Sequence, residues 1–124
     1  MRSSDIETLV HIARRKRGID QRGSWSEGSS TYLGEMQKEL EEVKEEIDRD
    51  RLCYLEDELG DVLWDYLNLL VCLEGERGIS LAGVAQRAVA KYEERIAGIE
   101  SGRSWSEVKE VQKARLAEEY RRSG

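Results

Sequence analysis

Two short acidic stretches carry residue types that could do chemistry: Glu41-Glu42-Val43-Lys44-Glu45 and Glu58-Leu59-Gly60-Asp61. In each, one carboxylate follows another at a spacing of three, Glu42 with Glu45 and Glu58 with Asp61. On a helix, residues three apart lie on one face. Two such helices side by side would aim four carboxylates at one space, where they repel one another unless a cation neutralises them. Oxygen-only ligands select a hard cation, Mg²⁺, with Mn²⁺ as the alternative.

Each stretch also has a plainer explanation. In the first, Leu33, Met36, Leu40, Val43 and Ile47 form an apolar stripe at helical spacing, and Glu42 and Glu45 fall outside it. An acidic face of that kind is more often a wet helix surface. The second stretch resists that explanation. From Leu59 to Leu73 the chain is apolar nearly all round, which predicts burial, yet Glu58, Asp61, Asp65 and Asn68 draw one narrow polar stripe along it. Buried carboxylates are costly unless paired or metal-bound, so this stripe reads as functional.

The elements that must position these residues are helical. A first helix is expected from Ile6 to about Arg17, buried through Ile6, Leu9, Val10 and Ala13 and ended by Arg14, Arg15, Lys16 and Arg17 at the negative end of its dipole. His11, the sole histidine, reads as a surface or partly packed residue. A Gly/Ser-rich connection from Gly18 to Ser30 follows, in which Ser24 and Glu27 fit a capping box for a short helical turn and Trp25 either packs over the core or stacks on a flat ligand. Helices are expected over Ser30–Arg49 and Leu52–Glu76, joined by a break short enough to make them antiparallel neighbours and to bring the two acidic stretches level.

Gly75 and Gly78 end the third helix, and Ser80 is placed to cap a fourth whose apolar side is Leu81, Val84, Ala88, Val89 and Ile96, with Lys91 and Arg95 on its outer face. Ser104-Trp105-Ser106-Glu107 repeats the tetrapeptide at Ser24 and opens a last helix, with fraying expected from about residue 120.

Composition narrows the classes. The 124 residues include no Pro and no Phe, and are rich in Ala, Leu, Glu, Lys and Arg, which favours an all-α single domain over a sheet. So small a domain with few aromatics gains core by oligomerising. A net charge of −6 disfavours nucleic-acid binding. No run is long and apolar enough to span a membrane, and the N-terminus lacks the apolar region of a signal peptide. Cys53 and Cys72 fall on one expected helix, about 28 Å apart, and read as reduced residues of a cytoplasmic protein.

Other metal motifs fail. An EF-hand begun at Asp48 would place Leu52, Cys53 and Leu59 where a ligand, a glycine and a glutamate are required. A di-iron bundle needs Glu-x-x-His, and Thr8 stands three before His11. No His/Cys cluster exists for zinc.

Taken together, Glu41-Glu42-x-x-Glu45, a gap, and Glu58-Leu59-Gly60-Asp61-Val62-Leu63-Trp64 resemble the motif of the MazG-like nucleoside triphosphate pyrophosphohydrolases, all-α enzymes related to dimeric dUTPases. Trp25, Lys91-x-x-x-Arg95 and Trp105-x-x-x-Lys109 resemble the family's flanking substrate residues. The resemblance implies an antiparallel helical bundle assembled as a homodimer or dimer of dimers. It implies Mg²⁺-dependent cleavage of an NTP or dNTP between the α and β phosphates, giving the monophosphate and pyrophosphate. Glu42, Glu45, Glu58 and Asp61 would hold metal; Lys91, Arg95 and Lys109 would hold phosphates; Trp105 and Trp25 would lie against the base; Asp65 and Asn68 would extend the site. Glu41 or a metal-holding carboxylate such as Glu45 would take the proton of the attacking water. A non-catalytic helical nucleotide-binding or interaction module is the alternative.

Overall fold

The turn that sets the site is two residues long. In a computed structural model of the chain, which describes residues 3–124 and side chains from Asp5 onward, helix α2 (Ser29–Arg49) and helix α3 (Leu52–Arg77) are joined through Asp50 and Arg51. Asp50 takes a left-handed conformation, φ 55°, and its N–H returns to the carbonyls of Glu46 and Ile47, closing α2. Asp is one of the few residues that adopt this conformation at modest cost. Arg51 then reaches back to the Glu46 carboxylate through Nε at 3.0 Å and lies over the Tyr54 ring, which fastens the start of α3 to the end of α2. The two helices run antiparallel in close contact.

Helix α1 (Ser3–Arg22) packs on α3. It extends well past Arg17, where the basic run was expected to end it. Lys16 pairs with Asp20 one turn on, and the Tyr32 hydroxyl donates to Asp20 at 2.5 Å, so the added turn carries a buried, partnered acid that offsets the helix cost of Gly18. Arg14 bonds Glu74 of α3 at 2.7 Å, and Glu74 also accepts from the Leu81 N–H at 3.1 Å. The capping box expected at Ser24 and Glu27 does not form. Residues 23–28 bend instead, with the Glu27 N–H donating to Thr31 Oγ1 and the Gly28 N–H to Ser26 Oγ. Gly28, at φ 94°, lets the chain enter α2, whose first N–H, of Ser29, is taken by Glu76 of α3 at 2.9 Å. Tyr32, Leu69 and Cys72 form the buried centre, flanked by Met36 and Leu73.

The chain divides into two compact units, residues 1–81 and 82–124. The second is a helical hairpin of α4 (Leu81–Glu100) and α5 (Trp105–Ser123). Ser104 caps α5 as its position predicts, accepting from the Glu107 N–H at 3.1 Å, and α5 runs to Ser123. Among the described residues the architecture is all-α, five helices without a strand. No described helix is long and apolar enough to cross a membrane.

Candidate metal centre

The phase of α2 decides which of its acids face α3. Tyr32, Met36, Glu39, Val43 and Glu46 follow one another at steps of three and four, and Tyr32, Val43 and Glu46 are buried. The apolar stripe read from sequence therefore splits. Met36 and Val43 turn inward, whereas Leu33, Leu40 and Ile47 are about half exposed. Glu39, not singled out by the sequence motif, lies on the inner face. Its signal was present: it stands three residues before Glu42, the same spacing used to select Glu42 and Glu45, and Tyr32 with Val43 fix the phase.

Glu39 of α2 meets Glu58 and Asp61 of α3, each offering a carboxylate oxygen within 4.8 Å of the others. Glu39 Oε2 and Glu58 Oε2 are buried and receive no hydrogen bond. Burial, then Glu42, Asp61 and Glu58, push the Glu39 carboxyl up to about 8. Contact with Glu42, then burial, raises Glu58. Burial, then Asp57 and Glu42, raises Asp61. Carboxylate against carboxylate is a hydrogen bond only while a proton is held between them, so this cluster holds protons or requires a cation. Glu46, on the same face one turn nearer the loop, behaves oppositely: Arg51 holds it below the usual carboxylate range. Glu39, Glu42, Glu58 and Asp61 are thus the acids of this cluster without a basic partner, and Glu42, like Glu41 and Glu45 beside it on α2, is exposed.

The polar stripe continues along α3. Asp65 is 5% exposed, its Oδ2 has no hydrogen-bond partner, and burial with Glu35 and Asp61 pushes its carboxyl up to about 6. Asn68 is buried too, its amide donating to the Trp64 carbonyl at 2.9 Å. Trp25 packs edge-on against Tyr32, with centroids 5.7 Å apart, and carries Lys16 over its ring, yet remains more than half exposed.

Residues 27–98 match the MazG nucleotide pyrophosphohydrolase domain, more than half of the chain. The chain belongs to the MazG family. No curated protein and no solved structure matches it. The matched span of the MazG domain contains the whole Glu39, Glu58, Asp61 cluster and supports a hydrolase-type metal centre there.

The second unit of this MazG chain holds the expected cations. Lys91, Arg95 and Lys109 line one cavity of about 580 Å³. Arg95 is not on an outer face, as the spacing suggested, but 7% exposed. Its guanidinium lies 4.9 Å from the Trp105 ring centroid and 5.2 Å from that of Tyr92, and Nε donates to Gln112 Oε1 at 2.7 Å. Arg87 and Arg115, on the same cavity, are spent on Glu119 and Glu94. Of the expected apolar side of α4, Val89 and Ile96 remain exposed.

Proposed function

We propose that the protein hydrolyses nucleoside or deoxynucleoside triphosphates between the α and β phosphates, releasing monophosphate and pyrophosphate. The observation that carries this reading is the set of buried, donor-less carboxylate oxygens at Glu39 and Glu58 beside Asp61, inside a MazG domain. An all-oxygen set of this kind fits Mg²⁺, or Mn²⁺ in its place. Glu58 and Asp61, with Glu42 and Glu45 as the motif implies, would hold it, and Glu39 joins them because its carboxylate lies with those of Glu58 and Asp61. When bound, it supplies positive charge to the phosphate oxygens and polarises water.

The rest of the work falls to the chain. Water adds to the α-phosphorus in line with the departing pyrophosphate. Its proton passes to a carboxylate of the α2 acidic face, and Glu41 and Glu45, both open to solvent, are the proposed acceptors. Lys91, Arg95 and Lys109 would meet the phosphates. Trp105, with Arg95 held against it, and Trp25, with an open face, would flank the base. Asp65 and Asn68 extend the site along α3.

We also propose a homodimer or dimer of dimers. Leu33, Leu40 and Ile47 on α2 and Leu52, Leu59 and Tyr66 on α3 recur every seven residues and are all exposed, a seam suited to a second copy. Two free cysteines suit the cytoplasm, and the net charge of −6 disfavours a nucleic-acid partner. A panel of NTPs and dNTPs with Mg²⁺, scored for monophosphate and pyrophosphate, tests the reaction. Inorganic phosphate with diphosphate as the products would refute it.

A further inference from the structure

Trp25 stands where the local chain gives it little support. It lies in the bend of residues 23–28, outside any helix, and more than half of it is exposed. Two side chains hold the indole. Tyr32 meets it at a steep angle, 72° between ring planes with centroids 5.7 Å apart, and the Lys16 ammonium lies over its ring, 4.3 Å from the centroid. Both holders lead to one carboxylate. Lys16 pairs with Asp20, and the Tyr32 hydroxyl donates to Asp20 Oδ2 at 2.5 Å. The Asp20 carbonyl also accepts the Gly23 N–H at 3.3 Å, where the chain leaves α1 for the bend. An acid only 6% exposed thus ties together the cation over the ring, the ring's aromatic neighbour and the entry to the bend. A tryptophan that only sealed the core would be buried among apolar neighbours, whereas this one is clamped by polar groups and left open.

The clamp lies on the metal centre's side of α2. Tyr32 and Glu39 share the inner face, seven residues apart, a rise of about 10 Å. A nucleotide whose phosphates lie at the acidic cluster would carry its base toward the Tyr32 end. We propose that Asp20 is a positioning residue for the nucleobase: through Lys16 and Tyr32 it fixes Trp25 as a flat wall, with the exposed part of the indole left for an aromatic base to stack on. This role rests on the triphosphate reading above and draws on none of the acidic motif.

The full chain labelled with 5-fluorotryptophan should give three fluorine resonances, one for each Trp, and the one lost in Trp25→Phe belongs to Trp25. Without nucleotide, Asp20→Asn and Lys16→Met should each shift or broaden that resonance and leave the other two in place, with circular dichroism confirming the fold. Lys16 is more exposed than Asp20, so its variant serves if Asp20→Asn fails to fold. Both variants should raise KM for triphosphates about five- to tenfold while kcat stays within about twofold, and Lys16→Arg, which keeps a cation at the ring, should restore both readouts. A Trp25 resonance unmoved in the folded variants, or moved with KM unchanged, overturns the positioning role alone. No turnover of any triphosphate by the wild type overturns the proposed reaction and the positioning role with it.

Discussion

Glu39 is the residue on which the site turns. Its carboxyl keeps a proton up to about 8, whereas in an unfolded chain it ionises in the usual carboxylate range. Between those limits the native state binds more protons than the unfolded state, so stability falls as pH rises through that window. Glu58, Asp61 and Asp65 are raised as well and act in the same direction. Glu46, Glu74 and Glu76 are lowered, so what they contribute is lost only at more acid pH. In chelator, the melting temperature should therefore drop from pH 5 to pH 8. Glu39→Gln should flatten that drop and raise the pH 8 value by about 4 °C; a profile as steep as the wild type's would remove Glu39 from the cluster. Glu58 and Asp61 were legible in the sequence because an apolar helix isolates them as a polar stripe. Glu39 carried the same three-residue spacing to Glu42, but spacing alone fits Glu39–Glu42 and Glu42–Glu45 equally, and it is the burial of Tyr32 and Val43, seen only in the fold, that chooses the phase.

At the scale of elements, α2, α3 and the break between them could be read from apolar periodicity and the absence of Pro. What could not be read were contacts made by groups distant in sequence. The extra turn of α1 depends on Tyr32 reaching Asp20, and the start of α2 depends on Glu76 rather than on a local cap. Arg95 breaks the rule that arginine stays outside because two rings and Gln112 receive it. The α4–α5 hairpin closes through Gly98, where an added Cβ would meet Val108 Cγ2 at 2.6 Å, both residues being buried. Gly98→Ala should cost about 1–3 kcal/mol in denaturant unfolding. Val108→Ala in the same chain should recover part of it, and strict additivity of the two would mean that the close approach is not felt.

At the scale of the molecule, the exposed seam of Leu33, Leu40 and Ile47 with Leu52, Leu59 and Tyr66 is more apolar surface than a small chain normally leaves to water. Light scattering at micromolar concentration should give at least a dimer, and Ile47→Lys should weaken it without unfolding the chain, since that side chain is already exposed. A wild-type monomer would dismiss the seam as an interface. The composition that suggested oligomerisation did not say where, because the stripe on α2 looked like core until its phase against α3 was known. The central claim is that the carboxylate cluster cleaves triphosphates at the α–β bond, and product analysis of Asp61→Asn beside the wild type tests it most directly. With Mg²⁺ the wild type should release pyrophosphate and monophosphate in equal amounts, and Asp61→Asn, still helical, should lose at least a hundredfold in rate, about 2.7 kcal/mol of barrier. Near-normal pyrophosphate release by Asp61→Asn, or none from any triphosphate by the wild type, would contradict the account.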